Sequence, residues 1–254
     1  VMPSDAVTDW THIVAISDVE PRSPAGYDKT VEIRALESDL DQVLVGGSAG
    51  YYTDSQQGIE GALPIAVLWI FISTMILLFL FTGSVILPLK AILLNVLSLG
   101  ATLGLVSWIF QNGHLQWLLG EYSVTGTIDT SSVVMIGVVA FGLSMDYELF
   151  LLSRIKEQHD AGMNTVNSVA YGLQRSGRII TAAAFILAVT FGAFASSGVS
   201  IMKMLGLGIA IAILLDATVV RALLVPALMR LFGSLNWWAP RWMKRLYDKA
   251  GLSH

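Results

Sequence analysis

Five stretches of this chain are apolar for long enough to cross a lipid bilayer, and that feature confines the fold to a helical bundle, because lipid leaves no partner for unpaired backbone groups. A hydrocarbon layer of about 30 Å needs about twenty helical residues. The stretches lie near Ala62–Thr82, Val85–Phe110, Ile128–Leu152, Ile179–Ser197 and Met204–Phe232. Composition agrees: 54% of residues are hydrophobic, 13% are charged and the mean hydropathy is +0.67, whereas a soluble domain carries roughly a quarter charged residues. There is no cysteine, which excludes disulfides, zinc-thiolate sites and thiol nucleophiles. No cofactor or metal is expected.

Charge reports topology rather than nucleic-acid binding. The Gly83–Lys90 turn, the Arg154–Arg178 loop and the Arg241–Lys249 tail hold nearly all the Lys and Arg that flank the spans, so these sides are expected to face the cytoplasm. The opposite connections, Gln111–Thr127 and Gly198–Lys203, hold Lys203 alone. Trp108, Trp117 and Tyr122 sit where interfacial aromatics belong. With five crossings and a cytoplasmic tail, the first sixty residues lie outside the cell membrane.

Residues 1–60 therefore form an extracytoplasmic segment, 61–232 the membrane domain and 233–254 a basic, aromatic tail. In the outer segment, His12–Ser17 and Val43–Val45 read as short strands, Tyr27–Val43 as an amphipathic helix and Gly46–Gly50 as a turn, the remnant of an α/β domain. So few elements cannot bury enough surface to fold alone, which makes the chain an expected fragment. Helix is expected from Tyr52 through Ile59 into the first span near Pro64. The loop 154–178 spaces Ile155, Met163, Val166, Val169, Ala170 and Leu173 for one apolar face and is expected to lie along the membrane surface. The tail interleaves Trp237, Trp238 and Trp242 with Arg241, Lys244 and Arg245, which suits an anchor on anionic lipids, with protein docking as the alternative.

The chemistry lies in charges that hydrocarbon should exclude. A carboxylate there costs about 2.5–3.5 kcal/mol on insertion scales, so such groups face a bundle interior or a water path. Asp146, Asp216 and Arg221 fall inside spans, and Glu148, nearer the basic edge, is expected to snorkel. Asp146 reads as a proton carrier with Tyr147 as its hydrogen-bond partner, since burial raises a carboxyl pKa and a nearby cation lowers it. A structural polar contact between helices is the competing reading. Asp216 and Arg221 stand five apart, off a common face of an α-helix, so each is expected to pair with a different helix. Gly100 with Gly104, Gly137 with Gly142 and Gly206 with Gly208 are expected to let helices approach. Ser131, Ser132, Ser144, Thr181 and Thr190 are candidates for a wet path, none favoured over another.

The run Phe141-Gly142-Leu143-Ser144-Met145-Asp146-Tyr147-Glu148-Leu149-Phe150-Leu151-Leu152-Ser153-Arg154 resembles the Gly-Leu-Ser-x-Asp-Tyr-x-x-Phe-Leu-x-Ser-Arg signature of the MmpL transporters, a family of the resistance-nodulation-division (RND) superfamily. Gly177–Ala184, Leu214–Arg221 and Leu224–Ala227 agree with it, and the tail resembles the mycobacterial branch that exports trehalose monomycolate. The resemblance implies a proton-driven exporter of lipid or glycolipid, built from two similar halves of which this chain is the end of the second. It further implies an RND-type half bundle carrying a small porter-domain remnant. Asp146 and Tyr147 match one of two Asp-Tyr pairs that relay protons, and Asp216 and Arg221 match supporting charges. The absent first half is the implied partner, together with lipid substrate and protons.

Two other classes compete. An intramembrane aspartyl protease also needs two membrane aspartates that share a proton, and Asp146, Asp216 and Pro226-Ala227-Leu228 fit superficially, although the local order differs. A non-transporting or sterol-sensing-like scaffold would share the helix arrangement. Proton flux that depends on Asp146, with no substrate cleaved, separates the transporter from both.

Overall fold

The computed structural model describes residues 13–36, 44–120, 122, 128 and 130–249, and the chain divides into two compact units, Val1–Gly58 and Ile59–His254. In the first unit, helix α1 spans Pro24–Arg34. The hydroxyl of Ser23 caps it by accepting from the Gly26 amide at 3.1 Å, and Pro24 follows in the first turn, a proline's favoured helical position because its missing N–H would be unsatisfied there anyway. Arg34 pairs with Asp54 and donates to the Val45 carbonyl at 2.9 Å.

No strand forms among the described residues, which corrects the expected α/β remnant. Residues 13–17 and 44–45 are irregular, and Ile13, Val14 and Ile16 are exposed. An alternating apolar run becomes a strand only beside another that takes its N–H and C=O groups, and the described residues offer it none. Residues 12 and 37–43, the rest of those expected elements, lie outside the described set. The Gly46–Gly50 segment is not a turn: helix α2 begins at Gly47 and runs to Thr82 with Pro64 inside it.

The second unit holds the membrane bundle. Helices long and apolar enough to span number five among the described residues: Gly47–Thr82, Ile86–Gln111, Thr130–Asp160, Thr165–Ser196 and Ser200–Trp237. Helix α3 covers Ile86–Val106 and continues as a π turn over Ser107–Gln111. A short α4, Gln116–Leu119, precedes α5, Thr130–Asp160, and α6, Thr165–Gly192. The last span is composite: α7 over Ser200–Leu215, a π segment over Asp216–Leu224, α8 over Val225–Phe232 and a 3-10 turn over Gly233–Trp237. It is the most enclosed of the five, and α2 is the least. Helix α7 packs against α3, α5 and α6. Gly206 permits this by lying against Phe194 and the Phe191 carbonyl, and Gly208 by lying against Ile136 and Val106. Gly100, Gly104, Gly137 and Gly142, expected to serve the same purpose, have open space where a side chain would project.

The loop 154–178 does not lie flat. It is the continuation of α5 and the beginning of α6, joined by a tight turn at Gly162, whose φ of +94° suits glycine. Asn164 caps α6 by accepting from the Asn167 amide at 2.9 Å. The apolar face read from the sequence is real, but Ile155 and Val169 are buried between the two helices instead of in lipid. Gly172 packs directly on Ile155, and this close approach converts a surface helix into a helical hairpin. Met163 and Val166 remain exposed.

The three basic connections gather at one end of the bundle. Ser84 donates to the Asn236 carbonyl at 2.5 Å, the Val85 amide bonds the Trp238 carbonyl at 3.1 Å, and Trp237 stacks on His159 at 3.9 Å. Helix α9, Arg241–Lys249, docks there through buried Tyr247 against Phe79 and Gly83, leaving Trp238 and Trp242 exposed. At the other end Tyr122 ties its loop down by donating to the Ile109 and His114 carbonyls at 2.8 and 2.5 Å, and Lys203 donates to the Leu119 carbonyl at 2.6 Å.

Candidate functional site

Asp216 and Arg221 pair with each other inside the bundle, where they are 6% and 3% exposed. The expectation that they would reach different helices fails because the turn between them is not α-helical. In a π segment each N–H bonds five residues back, so a widened turn brings positions five apart over one another. Asp216 opens that segment. Helix α5 completes the site: the Ser144 hydroxyl donates to Asp216 at 2.8 Å, and the Arg221 guanidinium donates to the Ser144 carbonyl at 2.7 Å.

Tyr147, three residues on, places its ring face 5.0 Å from the same guanidinium, an attraction worth about 0.5–2 kcal/mol as the site becomes drier. The pair is thus held by a hydroxyl, a carbonyl and an aromatic face from one turn of α5. Arg221 Nε, a buried donor, has no hydrogen-bond partner among the described residues.

Asp146 is elsewhere. It stands about 200° round α5 from Ser144 and is exposed, forming no hydrogen bond or ion pair among the described residues. Ser131, Met135, Val138, Gly142 and Asp146 make one exposed stripe along the helix, and a side chain at Gly142 would meet nothing within 4 Å. The two aspartates therefore face apart, which is the wrong geometry for a protease dyad that must share a proton.

The sequence model of the MMPL family matches residues 8–250. The chain belongs to the MMPL family. A putative membrane protein of Streptomyces coelicolor is 44% identical over 229 residues, covering 90% of this chain and 32% of that protein. The trehalose monomycolate exporter MmpL3 of Mycobacterium tuberculosis is 45% identical over 227 residues, covering 88% and 24%. The mycolic acid-containing lipids exporter MmpL11 of Mycolicibacterium smegmatis is 34% identical over 242 residues, covering 94% and 25%. The chain spans about a quarter to a third of the length of these curated relatives. Membership and the five apolar helices make it a multi-pass membrane protein.

Of the four charged or aromatic candidates in this MMPL chain, the bundle unites Tyr147, Asp216 and Arg221 and leaves Asp146 outside. Ser144 was only one wet-path candidate among five, yet it is the residue that binds both members of the ion pair; its place two residues before Asp146 was the available signal. Thr181 and Thr190 bond carbonyls of their own helix and are exposed. Glu148 does not snorkel: it is 5% exposed, beneath the ion pair on the inner face of α5. Sequence reasoning also treated Lys90 as a basic loop residue, whereas it is buried, donates to the Asn236 side chain and lies 5.4 Å from the Phe232 ring centroid.

Proposed function

We propose that this chain is part of a proton-driven lipid or glycolipid exporter, with Asp146 as the carboxyl that takes up and releases the proton and Tyr147, Asp216 and Arg221 as the relay behind it. The observation that carries the reading is the position of Asp146 on an open, glycine-bearing face of α5 whose opposite face grips the buried ion pair. An exposed stripe with Gly142 one turn above a carboxylate suits close approach of another membrane helix. The partner on that face is the other half of the transporter, in keeping with the small share of the relatives that this chain covers.

A carboxylate on that seam is expensive until protonated or paired, so taking up a proton changes which packing of the two halves is favoured. Secondary transporters move one bundle against another around a fixed site, and the proton's unequal affinity for the two arrangements supplies the bias. Tyr147 couples the events, since its backbone follows Asp146 and its ring lies on Arg221. The basic end of the bundle faces the cytoplasm in this reading, with exposed Trp238 and Trp242 beside anionic lipid. Trehalose monomycolate is the substrate suggested by the relatives at 45% identity. The test is lipid export by the full-length transporter carrying Asp146→Asn at equal membrane abundance. Lost export supports the relay; wild-type export refutes it.

A further inference from the structure

Below the ion pair the bundle contains a second buried charge cluster. Glu148 and Lys90 are the polar residues lining a cavity of about 10 Å³, otherwise walled by Leu87, Leu94, Leu152, Val225, Leu228 and Met229, about the smallest space that holds one water. Lys90 is fixed from the far side, since its ammonium donates to the Asn236 side chain. The Asn236 amide in turn donates to the Met229 and Gly233 carbonyls, each at 2.7 Å, at the end of α8. Glu148 is different: among the described residues it forms no hydrogen bond or ion pair, although it is at least as buried as Asp216. The charged groups acting on it from the packed elements are Arg221 and Asp216 on the π segment and Lys90 on α3.

A buried carboxyl without a fixed partner is costly in either charge state unless water reaches it. Here it stands between the mid-bundle pair and the bundle's basic end, with Ser144 four residues away on the same face of α5. Structural glue would be expected to resemble the Asp216 arrangement, with its donors in place. A group that must change charge needs loose, wet surroundings and a counter-charge that stays put.

We propose that Glu148 is a second proton-carrying residue, which exchanges its proton through a water in the Lys90 cavity and connects the Asp216–Arg221 site to the basic end of the bundle. Uptake converts carboxylate and ammonium, together neutral, into carboxylic acid and ammonium, together singly positive. Release to water reverses this, and Lys90 keeps its protons throughout. The inference rests on the proton-relay reading above.

The test is proton uptake by proteoliposomes of the full-length transporter, followed with an internal pH dye. Glu148→Gln is expected to lower the flux by about a hundredfold, the lower end of what a positioned proton-transfer group contributes. Glu148→Asp should retain flux with a displaced pH profile. The double variant Glu148→Gln with Lys90→Met removes both charges from the cavity; it should be at least as thermally stable as Glu148→Gln without regaining flux. Wild-type flux in Glu148→Gln, or flux restored in the double variant, overturns the proposal and makes Glu148 a counter-charge only. Asp146→Asn in the same vesicles separates the two readings. Flux lost there but kept in Glu148→Gln sinks the second carrier alone, whereas flux kept in Asp146→Asn sinks the relay on which it rests.

Discussion

The two aspartates of the membrane domain have opposite surroundings. Asp216 is enclosed, with Arg221 and Ser144 bonded to it, while Asp146 is exposed on a face that the described residues leave open. The same α5 helix serves both, its inner side through Ser144 and Tyr147 and its outer side through Asp146. A charge satisfied within its own chain fixes the geometry of a bundle. In the proposed relay, a charge left on an outer face belongs to a contact that another element completes, and the likeness of the two residues in sequence conceals two different surroundings.

The largest effect should come from breaking the inner pair. Arg221→Met leaves a buried carboxylate without its partner and should cost about 3–5 kcal/mol, read as lost thermal stability in detergent. Adding Asp216→Asn should recover most of it; a double variant as unstable as the single one would mean that the pair is not what holds the site. Next come the glycines. Gly208→Val drives a side chain into Ile136 and Val106 and should cost about 1–3 kcal/mol by overpacking. Gly142→Val, beside Asp146, should leave the stability of this chain unchanged yet impair export by the full-length transporter. Equal stability losses at the two positions would erase the distinction between inner and outer faces.

Tyr147→Leu is a smaller perturbation, removing a ring from Arg221 at a cost of about 0.5–2 kcal/mol. Tyr147→Phe should keep that stability, so any loss of export in this variant reports the hydroxyl alone. The smallest effect belongs to the first unit: Asp54→Asn removes an exposed partner of Arg34, and the melting temperature of the membrane bundle should not change.

How much of this was legible beforehand follows from what a linear pattern encodes. Span length and apolarity are local properties, so the five helices and the charges inside them could be read directly, and the Gly-Leu-Ser-x-Asp-Tyr run carried the family. The Asp216–Arg221 pairing could not be read, because a shift from i→i+4 to i→i+5 bonding leaves no mark on hydrophobic periodicity. The hairpin at Gly162 was missed for a related reason. Residues such as Ile155 and Val169 give one periodic face whether that face meets lipid or another helix, and only Gly172 hinted at the latter. Ser23-Pro24 announced the start of α1, but the apolar pattern drew the expected start to Tyr27. Glu148 was misplaced by its nearness to Arg154, since distance along the chain from a basic edge says nothing about which side of the helix is occupied.

The most direct measurement of the central claim is difference infrared spectroscopy of carboxylic acid groups in the full-length transporter, titrated with pH and compared with Asp146→Asn. A protonated carboxyl band that fades as pH rises and loses a titrating component in the variant, leaving at most the contribution of Glu148, is the result this account predicts. A titrating band of unchanged size and midpoint in Asp146→Asn would contradict it, because the proton would then reside on some other group.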